Sequence, residues 1–253
     1  MNESIIRVSF YVAGLLVFAG ASLLFPFRKE KQPLGWKRWS QNLLLSFLNS
    51  IVLKIIFTTS LVQIAYQKKH SEDLLSAIGT IIILDFIVYW QHRLFHKLPF
   101  LWRLHRLHHA DTEFDVTTGV RFHPIEIVLS YLIKMIAVYT LKLNPVGILF
   151  FEIILNLSAL FTHANFSLPR WPDRLLRFIY VTPDMHRIHH SVKSQELNSN
   201  YGFFLAIWDR IFRSYKEHSI EDPRTMLIGL NQLRDSQEIR IDKMLTQPFR
   251  GTK

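Results

Sequence analysis

The sequence predicts an all-α protein, a polytopic membrane helical bundle of about four to five spans with a cytosolic helical cap. Three observations predict it. Of 253 residues 49% are apolar, with a mean hydropathy of +0.14, more than a water-soluble globule ordinarily carries. These residues concentrate between Ile5 and Phe166 in runs of roughly 17–25, the length that crosses a hydrocarbon core of about 30 Å. Lysine and arginine, finally, alternate in abundance from one connection to the next.

The first run is Ile5 to Phe25, followed by a basic stretch that starts at Phe27. A secretory signal would carry its charges before the run and small residues at its end, so a retained anchor is expected. The second run is Leu43 to Tyr66, interrupted by Lys54, and the third is Leu74 to about Trp90, which leads straight into QHRLFH. Ile125 to Leu143 and Val146 to Phe161, joined by KLNP, form a hairpin, either arm of which could re-enter rather than cross. No fixed-period repeat or low-complexity tract interrupts this order.

Lysine plus arginine number five between Phe27 and Gln41, two between Gln67 and Asp73, and five between Gln91 and Pro124. One, Lys142, lies in the KLNP turn, and 14 follow Asn165. The positive-inside rule then puts the first, third and last of these regions in the cytoplasm and the amino terminus outside. Lys134 and Glu152 fall within expected spans, where a charge needs a partner or water. Lys134 is expected to snorkel or face the bundle. The net charge of +10 would suggest nucleic acid for a soluble chain; here it suggests loops facing anionic lipid, and no nucleic-acid partner. From Leu168 onward the chain turns polar, as a cap lying on the membrane surface would. The expected division is residues 1–83 as amino-terminal spans, 84–215 as a histidine-bearing domain and 216–253 as a cytosolic tail.

Zero cysteine excludes structural disulfides, thiolate zinc sites, iron–sulfur clusters and cysteine nucleophiles, so a metal must be held by nitrogen or oxygen. Histidine is in excess, at 12 of 253. Eight of the twelve fall in HRLFH (His92, His96), HRLHH (His105, His108, His109) and HRIHH (His186, His189, His190). A His-x-x-His-His pattern arises by chance about 0.03 times in a chain of this composition, and twice far less often. Positions three and four apart share a helix face, so each cluster is expected to aim all its imidazoles at one point. One tetrahedral ion takes four ligands; eight suggest two metals a few ångströms apart. Imidazole suits iron, zinc, copper and nickel alike. The clusters fall at span ends and in the cap, which puts a di-metal site at the cytoplasmic mouth of the bundle.

These residues resemble the fatty acid hydroxylase and sterol desaturase superfamily of membrane di-iron oxygenases. The resemblance covers about Leu84 to Tyr215 and rests on DFIVYWQHRLFH, LWRLHRLHHADTEFDVTTGVRFHPIE, FTHANFSLP, and VTPDMHRIHHS followed by NSNYGFFLAIWDRIFRSY. All eight positions of the superfamily's three histidine boxes are filled. The resemblance implies a further ligand between the second and third boxes, for which His163 is favoured and His123 is the rival. Asn200, Tyr201 and Gly202 match a family motif, and FRSY from Phe212 departs from the Phe-Gly-Thr-Tyr of many relatives.

The resemblance also implies two iron ions that activate O2, with hydroxylation, or else desaturation, of a lipid such as a fatty acyl chain or sterol. Asp184 and Asp209 are candidates to accept an imidazole N–H from behind the ligands, with Asn200 and His123 as further supports. Asp184 could instead cap the helix of the third box, and Asp209 could pair with Arg210 or Arg213. No nucleotide-binding glycine pattern is present, so electrons are expected from a separate ferredoxin- or cytochrome-type donor. Arg170, Arg174, Arg177, Arg187, Arg210 and Arg213 would offer such a donor a basic surface, or else meet lipid headgroups. Trp36, Trp39, Trp90, Trp102, Trp171 and Trp208 are read as an interfacial belt. The expected location is a bacterial inner membrane with the metal site facing the cytoplasm. The alternatives are a metal transport or storage protein, which would hold its ligands at mid-bilayer, and a membrane zinc hydrolase, which would carry a carboxylate base within the metal motif.

Overall fold

The computed structural model describes residues 3–29, 35–67, 71 and 73–251. Of the basic residues counted above, Lys31, Lys68, Lys69 and Lys253 lie outside the described residues. Twelve α-helices and three short 3-10 turns make up the described fold, with isolated bridges at Tyr180–Leu205 and Ser191–Ile228 and no strand. Five segments are long and apolar enough to cross a membrane: 3–24, 36–66, 74–97, 124–141 and 145–162. They correspond to the five runs read from the sequence, and the chain has the make-up of an integral membrane protein.

Helix α1 (Glu3–Leu24) exposes most of its apolar side chains, with Leu16 at 68%, as a helix facing lipid does. Helix α2 (Trp36–Ile56) begins seven residues before the apolar run. Its buried face is polar: Arg38, Asn42 and Asn49, with Leu45, recur at helical spacing and turn inward. Asn49 donates to the Phe122 carbonyl at 2.9 Å, and Arg38 pairs with Asp111 at 2.7 Å and with Asp115. Hydropathy misses such a start because the side chains that bury there are hydrophilic. The run then breaks at 57–60. Ser60 opens α3 (Leu61–Tyr66) with a capping box to Gln63, and the Tyr131 hydroxyl donates to the Thr59 carbonyl at 2.6 Å. Backbone groups freed within a span need partners of this kind.

Helix α4 (Leu74–Lys97), capped by Asp73, extends seven residues beyond Trp90, so the whole first histidine cluster rides on it. Leu98 ends α4 and, with Pro99 at the first position, starts α5 (Pro99–His109) at once, carrying the second cluster. Helices α6 (Pro124–Leu141) and α7 (Pro145–Thr162) form the expected hairpin, turned by Lys142 at φ +52° and capped by Asn144, whose side chain accepts from the Gly147 N–H. Helix α7 is the centre of the bundle and packs on α4 and α1. A Cβ on Gly147 would lie 2.6 Å from the Ala77 carbonyl, so only glycine allows α7 to approach α4 this closely. The apolar core joins α3, α4, α6 and α7 through Leu61, Leu84, Val88, Val138, Ile148 and Phe151. Of the two charges expected to need company, Glu152 pairs with Arg7 of α1 at 2.8 Å, and Lys134 is half-buried.

Beyond α7 come the short helices α8 (Arg170–Leu176), α9 (Pro183–His189), α10 (Ser194–Leu197), α11 (Ile207–Ile211) and α12 (Ile241–Thr246). The last of these, with its flanking 3-10 turns, packs back on α2 and α5. Leu45, Leu107 and Met244 form a buried cluster there, so the segment after Tyr215 is held against the bundle.

Candidate metal centre

Helices α4, α5, α7 and α9 each carry histidines in their last turns or at their C-caps, and these ends come together in the bundle. His92 and His96 occupy the last turns of α4, His105, His108 and His109 the last turns of α5, and His163 is the C-cap of α7. Helix α9 is opened by Thr182, which accepts from the Met185 N–H, and Pro183; it presents His186 and His189, with His190 as its C-cap. Pro at the first position presets the helical φ. Asp184 lies in that first turn but is not the cap.

The nine imidazoles fall into two groups. His92, His96, His105, His109 and His189 form one, and His108, His163, His186 and His190 the other, with the ligand-capable nitrogens of each group within 4.8 Å of one another. The clusters do not each aim at a single point, as the spacing suggested; the second and third are divided between the groups. The reason is the helical repeat. Residues four apart share a face, which keeps His92 with His96, His105 with His109 and His186 with His190, whereas neighbours such as His108 and His109 point about 100° apart.

His163 joins the second group: its Nε2 lies 3.2 Å from that of His108 and 3.1 Å from those of His190 and His186. His123 is elsewhere. Its Nδ1 accepts from the Ile125 N–H at the start of α6, and its Nε2 donates to the Leu245 carbonyl at 3.1 Å.

Four rings are oriented from behind. His92 Nδ1 donates to the Tyr201 carbonyl, His189 Nδ1 to the Ser199 carbonyl and His163 Nδ1 to the Ala159 carbonyl, each at 2.7 Å. A carbonyl can only accept, so in these neutral rings the proton is on Nδ1 and a bare Nε2 lone pair faces the group. His105 Nδ1 lies 2.7 Å from Glu126 Oε1. Glu126 is an ionisable residue at the start of the fourth apolar run, a signal for this role that sequence reasoning passed over. The ring of Phe122 stacks on His108 at 4.6 Å and 9°, and Trp102 lies 5.0 Å from His96.

Asp184 and Asp209 do not take imidazole protons. Asp184 accepts from Arg187 and, at 2.5 Å, from the Ser167 hydroxyl. Asp209 accepts from the backbone N–H groups of Tyr201 and Gly202, both at 2.8 Å, and from the Ser214 hydroxyl. It acts on the segment that carries the carbonyls, not on the rings. Asn200 does the same from inside that segment: its φ is +51°, and its side chain donates to the carbonyls of Met185 and Lys216. Gly119 presses on the opposite side, where a Cβ would come 2.6 Å from the Ala159 carbonyl and 3.1 Å from His163 Nδ1.

Burial decides the charge of the rings. It pushes His105 down to about 3 and His163 to about 4. Burial, and then neighbouring imidazoles, hold His108, His109, His186 and His190 well below the usual histidine range, and His189 likewise. All are therefore neutral, the form that ligates a metal.

The donor set fits metal ions. Both nitrogens of His96 and His109, Nε2 of His105 and Nδ1 of His108, His186 and His190 are buried without a hydrogen-bond partner. With metal–nitrogen bonds near ~2.1 Å, adjacent ligands around one ion stand about 3.0–3.4 Å apart. The Nε2–Nε2 separations of 3.1–3.2 Å, including His189 to His92 at 3.1 Å, match that spacing. A shared proton satisfies one such pair, whereas a cation satisfies a whole group.

The expected basic surface is only partly there. Arg187 is fully buried between the rings of Phe27 and Phe114, because Asp184 and the Phe166 carbonyl hold its guanidinium inside. Arg177 pairs with Asp173 at 2.5 Å. Arg170 and Arg174 are exposed beside Trp171, Leu175, Phe178 and Ile179, an apolar face that suits a membrane surface. The tryptophan belt reduces in the same way. Trp36 and Trp171 are exposed at 71% and 72%, while Trp39 and Trp208 donate inward to Asp115 and Asp85.

Comparison with known proteins gives a consistent picture. A family model described as fatty acid hydroxylase matches residues 77–214. Ornithine lipid hydroxylase OlsE of Rhizobium tropici is 33% identical over 150 residues, 59% of this chain and 44% of that protein. Alkylglycerol monooxygenase of Xenopus tropicalis is 29% identical over 152 residues, 60% of this chain and 32% of that protein. Very-long-chain aldehyde decarbonylase GL1-4 of Oryza sativa subsp. indica is 27% identical over 160 residues, 60% of this chain and 25% of that protein. The matched stretch thus spans less than half the length of each of these relatives. No solved structure matches the chain.

Proposed function

This chain belongs to the fatty acid hydroxylase family, and from that premise we propose that it is a membrane di-iron oxygenase that hydroxylates, or less readily desaturates, a C–H bond of a lipid. The observation that carries the reading is the division of nine neutral histidines into groups of five and four at one end of an apolar bundle. His92, His96, His105, His109 and His189 would hold one iron, and His108, His163, His186 and His190 the other. Bound iron supplies the reduction of O2 that makes an unactivated C–H bond reactive. In hydroxylation, O2, two electrons, two protons and the C–H bond give an alcohol and one water. In desaturation the lipid loses two hydrogens and both oxygen atoms leave as water.

The protein's own residues orient and exclude. The carbonyls of Ser199, Tyr201 and Ala159 fix the tautomers of His189, His92 and His163, and the rings of Phe122 and Trp102 pack against His108 and His96. Electrons would come from a separate donor of ferredoxin or cytochrome type, docking on the cap. The site would face the cytoplasm of a bacterial inner membrane, which agrees with the charge distribution along the chain. Residues 84–215 would form the oxygenase unit, with 1–83 as amino-terminal spans and 216–253 as its cytosolic flank. The names of the hydroxylase and monooxygenase relatives support a lipid substrate. Transport is disfavoured because the histidines gather at helix ends, where transport sites sit at mid-span.

Two measurements test this reading together. Detergent-purified protein should contain close to two metal ions per chain. Lipid mass spectrometry of cells with and without the protein, with a His189→Ala control, should show a species heavier by one oxygen, or lighter by two hydrogens. Unchanged lipids, with cellular metal content following the protein's level, would replace the enzyme with a metal store.

A further inference from the structure

A large cavity opens beside the histidine groups, with His96 in its wall. Its volume is about 720 Å³, and its wall includes His96, Trp102, Arg103, Arg106 and Arg250. A cavity of this size holds a drug-sized group with room to spare. Among the described residues, no aspartate or glutamate lines it.

The three arginines are not equivalent. Arg250 is neutralised by Glu238, which it grips with two nitrogens at 2.7 and 2.5 Å. Arg103 and Arg106 reach only backbone carbonyls: Arg103 Nε donates to Pro248, and Arg106 Nη2 to Gln247 and Arg250. Arg106 is 5% exposed, and its Nε has no hydrogen-bond partner. Two cations therefore line this cavity with no described carboxylate bonded to them, one of them almost fully buried with a donor to spare. Burying such a charge is costly unless an anion completes the site. A planar guanidinium fork matches carboxylate and phosphate oxygens.

Exposed apolar side chains flank the cavity. Pro99 is on its rim, and the neighbouring Leu98 and Phe100 are exposed at 37% and 65%, apolar side chains on a protein that crosses a membrane. We propose that this cavity receives the anionic headgroup of the lipid substrate, a carboxylate or phosphate seated on Arg103 and Arg106, with the chain to be oxidised directed along the His96 wall. This rests on the reading of the substrate as a lipid, and adds that the lipid is anionic.

The test is binding, which needs neither O2 nor reductant. The full chain in neutral detergent is titrated with dioleoyl phosphatidic acid, with dioleoylglycerol and with inorganic phosphate, and bound lipid is counted by native mass spectrometry. Phosphatidic acid should bind at least tenfold more tightly than dioleoylglycerol. Arg103→Gln/Arg106→Gln should reduce that preference to within about twofold, while Arg240→Gln, which removes a charge from the surface, should leave it. Metal content equal to that of the wild type establishes that the double variant is folded. If it is not, Arg103→Gln alone, at an exposed position, should lower the preference about threefold.

A preference that survives the double variant, or falls equally in Arg240→Gln, overturns the proposal. So does inorganic phosphate that binds as tightly as phosphatidic acid and displaces it, since the cavity would then take a free anion. Loss of headgroup preference with no effect of the double variant on lipid oxidation would overturn this inference and leave the oxygenase reading standing. Headgroup-selective binding in a protein that oxidises no lipid would do the reverse.

Discussion

His92 and His189, 97 positions apart, meet Nε2 to Nε2 at 3.1 Å, and each is anchored through Nδ1 to the same short segment, His92 on the Tyr201 carbonyl and His189 on the Ser199 carbonyl. Asn200 sits between the two acceptors at φ +51°, and Asp209 holds the Tyr201 and Gly202 N–H groups. The geometry of the five-histidine group therefore depends on Asn200 and Asp209, whose side chains make no hydrogen bond to an imidazole.

Asp209→Leu should lower metal retention by about 10–100-fold, the usual effect of removing support from behind a ligand. The measure is metal per chain after dialysis against a weak chelator. Asp209→Asn keeps one acceptor oxygen and should lose less. Equal metal retention in wild type and both variants would show that Asp209 is a local fold constraint only.

His163 and His123 should separate cleanly. His163→Ala removes a member of the four-histidine group and should reduce bound metal from about two ions toward one, as His186→Ala should. His123→Ala should keep both ions and cost about 1 kcal/mol in stability, the usual value of a helix N-cap. Metal analysis and thermal melts of the two variants decide it, and the reverse pattern would exchange their roles.

Metal-free protein should be acid-labile. Burial holds His105 at about 3 and His163 at about 4, below the 6.5 of an unfolded histidine. Between those values the unfolded chain binds more protons than the folded one, so stability is present in full above about pH 6.5 and declines as pH falls toward 4 and then 3. Melts of chelator-stripped protein from pH 7.5 to 4 should show a falling midpoint. A flat profile would mean that the rings take up protons while still folded.

The charge alternation predicts the topology. Reporter fusions at Gln67, Asn144 and Lys253 should read outside, outside and inside. A fusion at Asn144 that reads inside would make α6 and α7 a re-entrant pair, and three spans would remain.

What the sequence alone determined is what repetition writes into a chain: five apolar runs set by the bilayer's thickness, and three histidine clusters too improbable to be accidental. Hydropathy averages over a helix, so it could not see that α2 starts at Trp36 on a polar buried face, or that the run breaks at Ser60 with Tyr131 taking a freed carbonyl. The motif gave the histidines but not their partition. Adjacent residues on a helix diverge, so His108 and His109 serve different groups, and only the packing of α4, α5, α7 and α9 shows which rings meet. The acceptors behind the rings were illegible for a simpler reason. Backbone carbonyls are present at every residue, and nothing in a side-chain pattern marks Ser199, Tyr201 or Ala159 until the chain has folded them against a histidine.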